Sequence, residues 1–383
     1  MFQKMFTLGM LVFLLGCAST GDEEVDKPIP LGAIDAELTA KIVWQHKLKP
    51  AKAKLNVKLV PYAENKLLFV ADGVGRLRAY ELETGKLIWR TQDKIKIVSP
   101  IGGGKDYIFA GTQDAKVVAF QASSGKILWQ GAVSSEVLAQ PLLVENRVIA
   151  RTGDGKIFGL DLSTGQYHWV YERSVPALSL RGISSSVVYE SSIYAGFDNG
   201  KVVALSANDG KLQWEQSLAI PTGRSELERM VDIDADPIIS DDTLYVVSYQ
   251  GKIAALDINT GRQLWSREMS SYTGMDLDKK NIYVSDAHGN LWAIDRSSGA
   301  TVWKQEKLFA RNVSAPVLHE GNLVVADYEG YVHWLSVEDG HFVGRLRIDT
   351  SAITVKPYTN KHLLFVRTID GLLAAVKIQP GKS

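Results

Sequence analysis

The chain has 383 residues, 45% of them hydrophobic, with 43 basic and 43 acidic side chains. A net charge of zero excludes a general nucleic-acid binder, which needs a basic footprint, and leaves protein partners open. Two or three domains would be expected at this length unless the chain repeats, so repeats decide the architecture.

Lys4 gives a short positive start, and Met5 to Leu15 form an apolar stretch broken only by Thr7 and Gly9. That run is too short to span a bilayer and matches the core of a secretory signal. It ends in Leu14-Leu15-Gly16-Cys17, which resembles a bacterial lipobox, although Leu15 is bulkier than the residue usual there. Cys17 is the only cysteine in the chain and stands where lipid attachment requires one. Residues 1–16 are therefore expected to be a removable lipoprotein signal, with a covalent lipid on Cys17; a plain secretory signal is the alternative. Each buried methylene of such a lipid contributes roughly 0.8 kcal/mol, and several acyl chains together hold a protein on a membrane. Ala18 follows. An aspartate there resembles an inner-membrane retention signal in enterobacterial lipoproteins, so Ala18 points to the outer membrane, facing the periplasm. The polar, acidic, proline-ended stretch that follows reads as a flexible tether, placing anchor and tether over 17–40. No later segment is long and apolar enough to cross a membrane.

From Leu67 onward one unit recurs. Its first half is a short apolar strand, a turn, then Gly-x-Φ-x-Ala-Φ, where Φ is apolar. The copies begin at Gly75, Gly155, Gly200, Gly251, Gly289, Gly330 and Gly371, and Ala115 replaces the glycine in one more. Period-two alternation reads as strands and the glycines as hairpin turns. The second half is a turn glycine with tryptophan four residues on: Gly85/Trp89, Gly125/Trp129, Gly165/Trp169, Gly210/Trp214, Gly261/Trp265 and Gly299/Trp303. Gly340 is followed instead by Gly344. Prolines recur ahead of the first strand (Pro61, Pro100, Pro141, Pro237, Pro316, Pro357), which suits an innermost edge strand.

Each unit supplies four short strands, a propeller blade rather than a helical repeat. The tryptophans are expected to wedge against the next blade. The last copy stops at Ile378 without a turn glycine or tryptophan, while Trp44 lies orphaned in Lys41-Ile-Val-Trp-Gln-His46. The economical solution is that this N-terminal strand completes the C-terminal blade and removes the open edge. The expected fold is all-β: an eight-bladed β-propeller of four-stranded antiparallel blades over residues 41–383, with Trp44, Trp89, Trp129, Trp169, Trp214, Trp265 and Trp303 as structural blade residues.

The turn segment Asp257-Ile-Asn-Thr-Gly-Arg-Gln-Leu-Trp265 resembles the quinoprotein-type propeller repeat, over about residues 41–378. Pyrroloquinoline-quinone dehydrogenases and non-enzymatic propellers share it, so it implies a fold and not a function. The lipobox, the acidic tether, the eight blades, the segments Leu178-Ser-Leu-Arg-Gly182 and Asp232-Ile-Asp234, and the run from Gly321 to Trp334 together resemble the BamB family. Its members are lipoproteins of the outer-membrane β-barrel assembly machinery. The resemblance implies a non-catalytic scaffold without a cofactor. It also implies docking on the POTRA domains of BamA, alongside the other subunits of the complex, in support of outer-membrane protein folding and insertion.

The loops point the same way independently. Trp-to-Trp spacings are 40, 40, 45, 51 and 38 from Trp89 to Trp303. The two long intervals put extra residues into Glu172–Gly182 and Ser217–Ile233, neighbouring connections on one rim, where function tends to sit on a rigid scaffold. Leu178, Leu180 and Arg181 beside Asp232 and Asp234 would give apolar anchors ringed by charge. In the resemblance these five positions match the docking surface. The structural alternative is that the leucines pack down and Arg181 pairs with the aspartates.

Other constellations are weaker. A quinoprotein dehydrogenase is the enzyme-class rival; its usual adjacent-cysteine pair and cofactor-roofing insert are missing here. Seven histidines are scattered without metal-ligand spacing. Asp72-Gly-Val-Gly75 lacks the helix of a dinucleotide loop and reads as a turn, as does Gly102-Gly-Gly104. The lysines from Lys47 to Lys58 read as a solvated basic connector. Transient capture of unfolded outer-membrane proteins by strand addition is a further alternative.

Overall fold

The computed structural model describes residues 26–50, 58–92, 94–173, 184–219, 225 and 230–381. Within them lie eight four-stranded antiparallel sheets. Blades 1 to 7 span 62–90, 102–132, 142–171, 187–217, 238–269, 275–305 and 317–347, each strand pairing with the next in sequence. Blade 8 takes its three inner strands from 358–380 and its outermost strand, Leu38–Lys47, from the other end of the chain. First strands of successive blades touch one another, which places them at the axis. Each of the six recurring prolines stands just ahead of such a strand, where a missing N–H leaves no ladder bond unmade.

The blades join through a repeated contact. Each tryptophan of the outermost strand sits opposite a small residue of its own blade, as in Ala79↔Trp89, Gly159↔Trp169 and Ala375↔Trp44. Its ring then reaches out to the next blade. Trp44, Trp89, Trp129, Trp169, Trp214, Trp265 and Trp303 lie against Gly85, Gly125, Gly165, Gly210, Gly261, Gly299 and Gly340, so closely that an added Cβ would fall within 2.7 Å of the ring at each. Their indole N–H groups donate to the carbonyls of Leu82, Ala122, Leu162, Ala207, Ile258, Arg296 and Val337, at 2.8–3.0 Å. These carbonyls lie three residues before the glycine in every case. The glycine is needed twice over: at Gly210, for example, φ is +71° and the space for a side chain is already filled by Trp169.

The eighth junction, between blades 7 and 8, departs from the pattern. In blade 7 the cross-strand pair is inverted, with Trp334 in the alanine position facing Gly344 in the tryptophan position. Trp334 is fully buried inside the blade. The room left at Gly344 is taken by Leu38, whose Cδ1 would lie 2.3 Å from an added Cβ. Thus the residue that replaces the wedge comes from the N-terminal strand that closes the ring.

Residues 29–37 are also seated, although their composition reads as tether. Glu37 donates its N–H to the Val343 carbonyl at 2.9 Å. Arg345 and Arg311 donate to the Gly32 and Ile29 carbonyls at 2.9 and 3.1 Å, and Leu31 and Ile34 pack on the core between blades 6 and 7. Arg311 is itself fixed by Asp327 and Glu329, and Asp327 also bonds the buried His333. Contact with backbone carbonyls explains why composition gave no sign of it. Gly102–Gly104 is a second departure. It is the innermost strand of blade 2 rather than a turn; an added Cβ on Gly102 would lie 1.9 Å from the Pro141 carbonyl oxygen.

Gly344→Ala should destabilise the fold by roughly 1–3 kcal/mol through overpacking. Leu38→Ala in the same chain should recover most of that loss in a chemical-denaturation double-mutant cycle. Purely additive losses would place Leu38 elsewhere.

Candidate docking face and axial pocket

Because consecutive strands alternate in direction, the ring has two unlike faces. First-to-second and third-to-fourth turns open on one. Second-to-third turns and the connections between blades open on the other, here called the connector face. The long connections leaving blades 3 and 4 therefore emerge side by side on that face, as the spacings predict. Leu178, Leu180 and Arg181 lie outside the described residues, as does Cys17.

The feet of the two connections are described and are stitched together. Ser185, entering blade 4, donates its N–H to Asp236, entering blade 5, at 2.5 Å. Gln140, ahead of blade 3, donates to the Ser185 hydroxyl at 3.3 Å. The Asp232 carbonyl accepts from the Tyr249 N–H at 2.8 Å. Three adjacent blades thus hold one patch of backbone in place.

Asp232 and Asp234 differ from expectation. They were expected to ring the apolar anchors with exposed charge, but they are 0% and 2% exposed. The reason is their position just ahead of the innermost strand of blade 5, where the connection has already turned down into the ring. Their charge belongs to an internal cluster with Arg151, Asp198 and Lys58. Arg151, also buried, donates to the Ser184 carbonyl and hydroxyl at 3.0 Å and lies 3.8 Å from Asp198. Burial pulls its guanidinium below the ordinary arginine range, against the attraction of Asp198, Asp234 and Asp236. Burial, reinforced by Asp232 and Asp198, pushes the Asp234 carboxyl up to about 8, against the pull of Lys58 and Arg151. One Asp234 oxygen, Oδ1, is buried without a hydrogen-bond partner among the described residues.

Above this cluster the axis opens into a cavity of about 350 Å³. Residues just ahead of the innermost strand of every blade line it, from Lys58 before blade 1 to Lys356 before blade 8, and Asp234 is in its wall. Sequence reasoning missed the cavity and Arg151. A signal for the latter existed: second strands end in Ala71, Gly111, Gly196, Val247, Ser285 and Ala326, but in arginine at Arg151 and Arg367. Among the described residues no group of histidine, cysteine, aspartate and glutamate could hold a metal ion.

A family model described as "Outer membrane protein assembly factor BamB" matches residues 31–100 and 92–305. A protein of that name from Pseudomonas aeruginosa is 41% identical over 97% of this chain and 98% of its own length. One from Escherichia coli is 29% identical over 98% and 99%. The chain belongs to the BamB family. The crystal structure of BamB from Moraxella catarrhalis, 25% identical, matches with a TM-score of 0.81 over 88% of this chain and all of that one. The quinohemoprotein alcohol dehydrogenase from Comamonas testosteroni matches at 12% identity and a TM-score of 0.72, over 90% of this chain and 78% of its own. That second likeness shows the propeller alone, as the shared repeat of BamB proteins and quinoproteins implies.

The raised Asp234 carboxyl has a definite consequence for stability. Above pH of about 4 an unfolded aspartate has lost its proton, whereas the folded group keeps it up to about 8. The contribution of Asp234 is therefore greatest in acid and is lost as pH rises from about 4 to about 8. Asp234→Asn should leave the thermal midpoint unchanged at the acid end, raise it increasingly across that window, and give a constant gain above it. A gain independent of pH would contradict the assignment.

Proposed function

We propose that this chain is a non-catalytic scaffold of outer-membrane protein assembly, held on the outer membrane by a lipid on Cys17 and docked through its connector face on the POTRA domains of BamA. Membership of the BamB family, whose members are named outer membrane protein assembly factors, supports the role. The observation that carries the docking surface is the stitched pair of long connections on adjacent blades. A rigid base under two long connections is an arrangement that holds a few anchors in place for binding. Leu178, Leu180 and Arg181 are the contact residues; Asp232 and Asp234 lie buried at the foot of the second connection.

The N-terminal segment favours the same orientation. Starting from Leu38 it climbs the seam of blades 6 and 7 and reaches the connector face, where Ile29 bonds Phe309 and Asp26 lies 3.6 Å from His288. Asp26 lies nine positions after Cys17, a reach of about 30 Å at full extension. Anchor and docking loops would then leave from one face, and the membrane would lie on that side.

Leu180→Ala combined with Arg181→Ala should sharply reduce co-purification of BamA from solubilised envelopes while the thermal midpoint stays at the wild-type value. Undiminished co-purification at wild-type stability would contradict the docking surface.

A second reading has an observation of its own. The outermost strands are free edges, and they carry exposed apolar side chains: Ile88, Leu128, Tyr167, Leu212, Leu264 and Val302 are between 43% and 62% exposed. Such an edge suits strand addition by an unfolded barrel segment. Cross-links from a trapped precursor to these positions would support that activity alongside docking.

A further inference from the structure

We propose that the axial pocket on the connector face binds one cationic side chain, a lysine or arginine presented by the docked partner, with Asp234 as its counter-ion. The proposal deepens the docking reading and rests on it for the source of the side chain.

Four observations carry it. The cavity, about 350 Å³ with walls from all eight blades, opens on the face from which the two long connections rise, and it is of the size that ligand sites occupy, ~300–1,000 Å³. Asp234 is 2% exposed and its Oδ1 has no hydrogen-bond partner among the described residues. Native structures rarely leave a buried carboxylate oxygen so, since desolvation without compensation is costly.

Carboxyls outnumber cations around it among the described residues even without Asp232: Asp198, Asp234, Asp236 and Asp276 against Arg151, Lys58 and Lys356. Two of these cations have other commitments, and Lys58 makes no hydrogen bond to Asp234 Oδ1. Arg151 is spent on Ser184 and Asp198. Lys356, on the opposite wall, donates to the Met275 carbonyl at 3.0 Å and lies 4.0 Å from Asp276. Finally, Tyr272, Met275 and Val313 give the pocket an apolar wall. That is what the methylene stem of a lysine or arginine covers while its head reaches a carboxylate, and an aromatic face adds attraction for the cation.

An incoming guanidinium or ammonium would pair with Asp234 in its ionised form and remove the penalty that holds its proton. The side chain would thereby fix the rotational position of the partner on the ring, because the axis admits a single group while the loops grip to one side.

The test uses the full-length chain and two small probes of the same shape, N-acetyl-arginine amide and N-acetyl-citrulline amide, titrated at millimolar concentrations by calorimetry and by thermal midpoint. The arginine probe should bind and raise the midpoint by several degrees, and the neutral citrulline probe should do neither. Asp234→Asn should weaken the arginine probe at least about tenfold, a loss of roughly 1.4 kcal/mol. The Leu180→Ala, Arg181→Ala variant should respond like wild type, because the proposal places the cation on Asp234 and the described lining of the pocket. Equal response to both probes, or full response in Asp234→Asn, would overturn the proposal. Preferential binding of N-acetyl-glutamate amide would overturn it in favour of an anion site between Lys58 and Lys356. If the arginine probe binds as expected but the loop variant still co-purifies BamA, the docking surface fails and the pocket stands.

Discussion

One contact, repeated seven times, holds the ring together: an outermost-strand tryptophan laid over the turn glycine of the next blade, its indole N–H on a carbonyl three residues earlier. A single four-stranded sheet cannot bury both of its faces, so each blade depends on its neighbours. Removing one such tryptophan would cost about 3–5 kcal/mol, the usual range for deleting a large buried aromatic. The N-terminal strand enters this system twice. Trp44 clasps blade 1 from blade 8, and Leu38 fills the place at blade 7 where the wedge is missing. Both joints that flank the chain ends are thus made by one strand of ten residues.

A ring closed in this way frees the connections between blades from any structural duty beyond reaching the next innermost strand. Length can be added there at little cost, and two adjacent connections have it. Their feet converge on a charged interior that a fold selected for stability alone would not keep. Burial pushes the Asp234 carboxyl up to about 8, with one oxygen unpartnered among the described residues, and it lowers the Arg151 guanidinium nearby. Strain of this kind concentrates where a protein binds something. By contrast, the buried Asp327–His333–Arg311 network in blade 7 is satisfied throughout and serves to seat the N-terminal segment.

Much of the fold was legible because the repeat states it eight times. Gly-x-x-x-Trp marked the outer hairpin of blades 1 to 6, and an orphan Trp44 facing a last copy without tryptophan was enough to infer closure. The inverted pair Trp334/Gly344 was visible as an irregularity, but only the register shows that volume has moved across the ladder and that Leu38 takes the gap. Residues 29–37 misled because their hydrogen bonds run mainly through backbone groups, and Leu31 and Ile34 alone make no hydrophobic pattern. Gly102–Gly104 misled because a glycine run serves close backbone approach as readily as a turn. At the site, position along the rim was readable from spacing, whereas depth was not. Asp232 and Asp234 look like loop charges in sequence, and only the descent of the chain into the axis buries them.

The dependence of the whole ring on its N-terminal strand is open to direct measurement by native-state hydrogen exchange with mass spectrometry. Those backbone amides of Leu38–Lys47 that donate into the ladder should exchange as slowly as the amides of residues 372–379, through the same global opening, since the two strands form one ladder. Rapid exchange of Leu38–Lys47 while the inner strands of blades 1 to 7 remain protected would mean that the ring stands without its clasp, and would contradict the account.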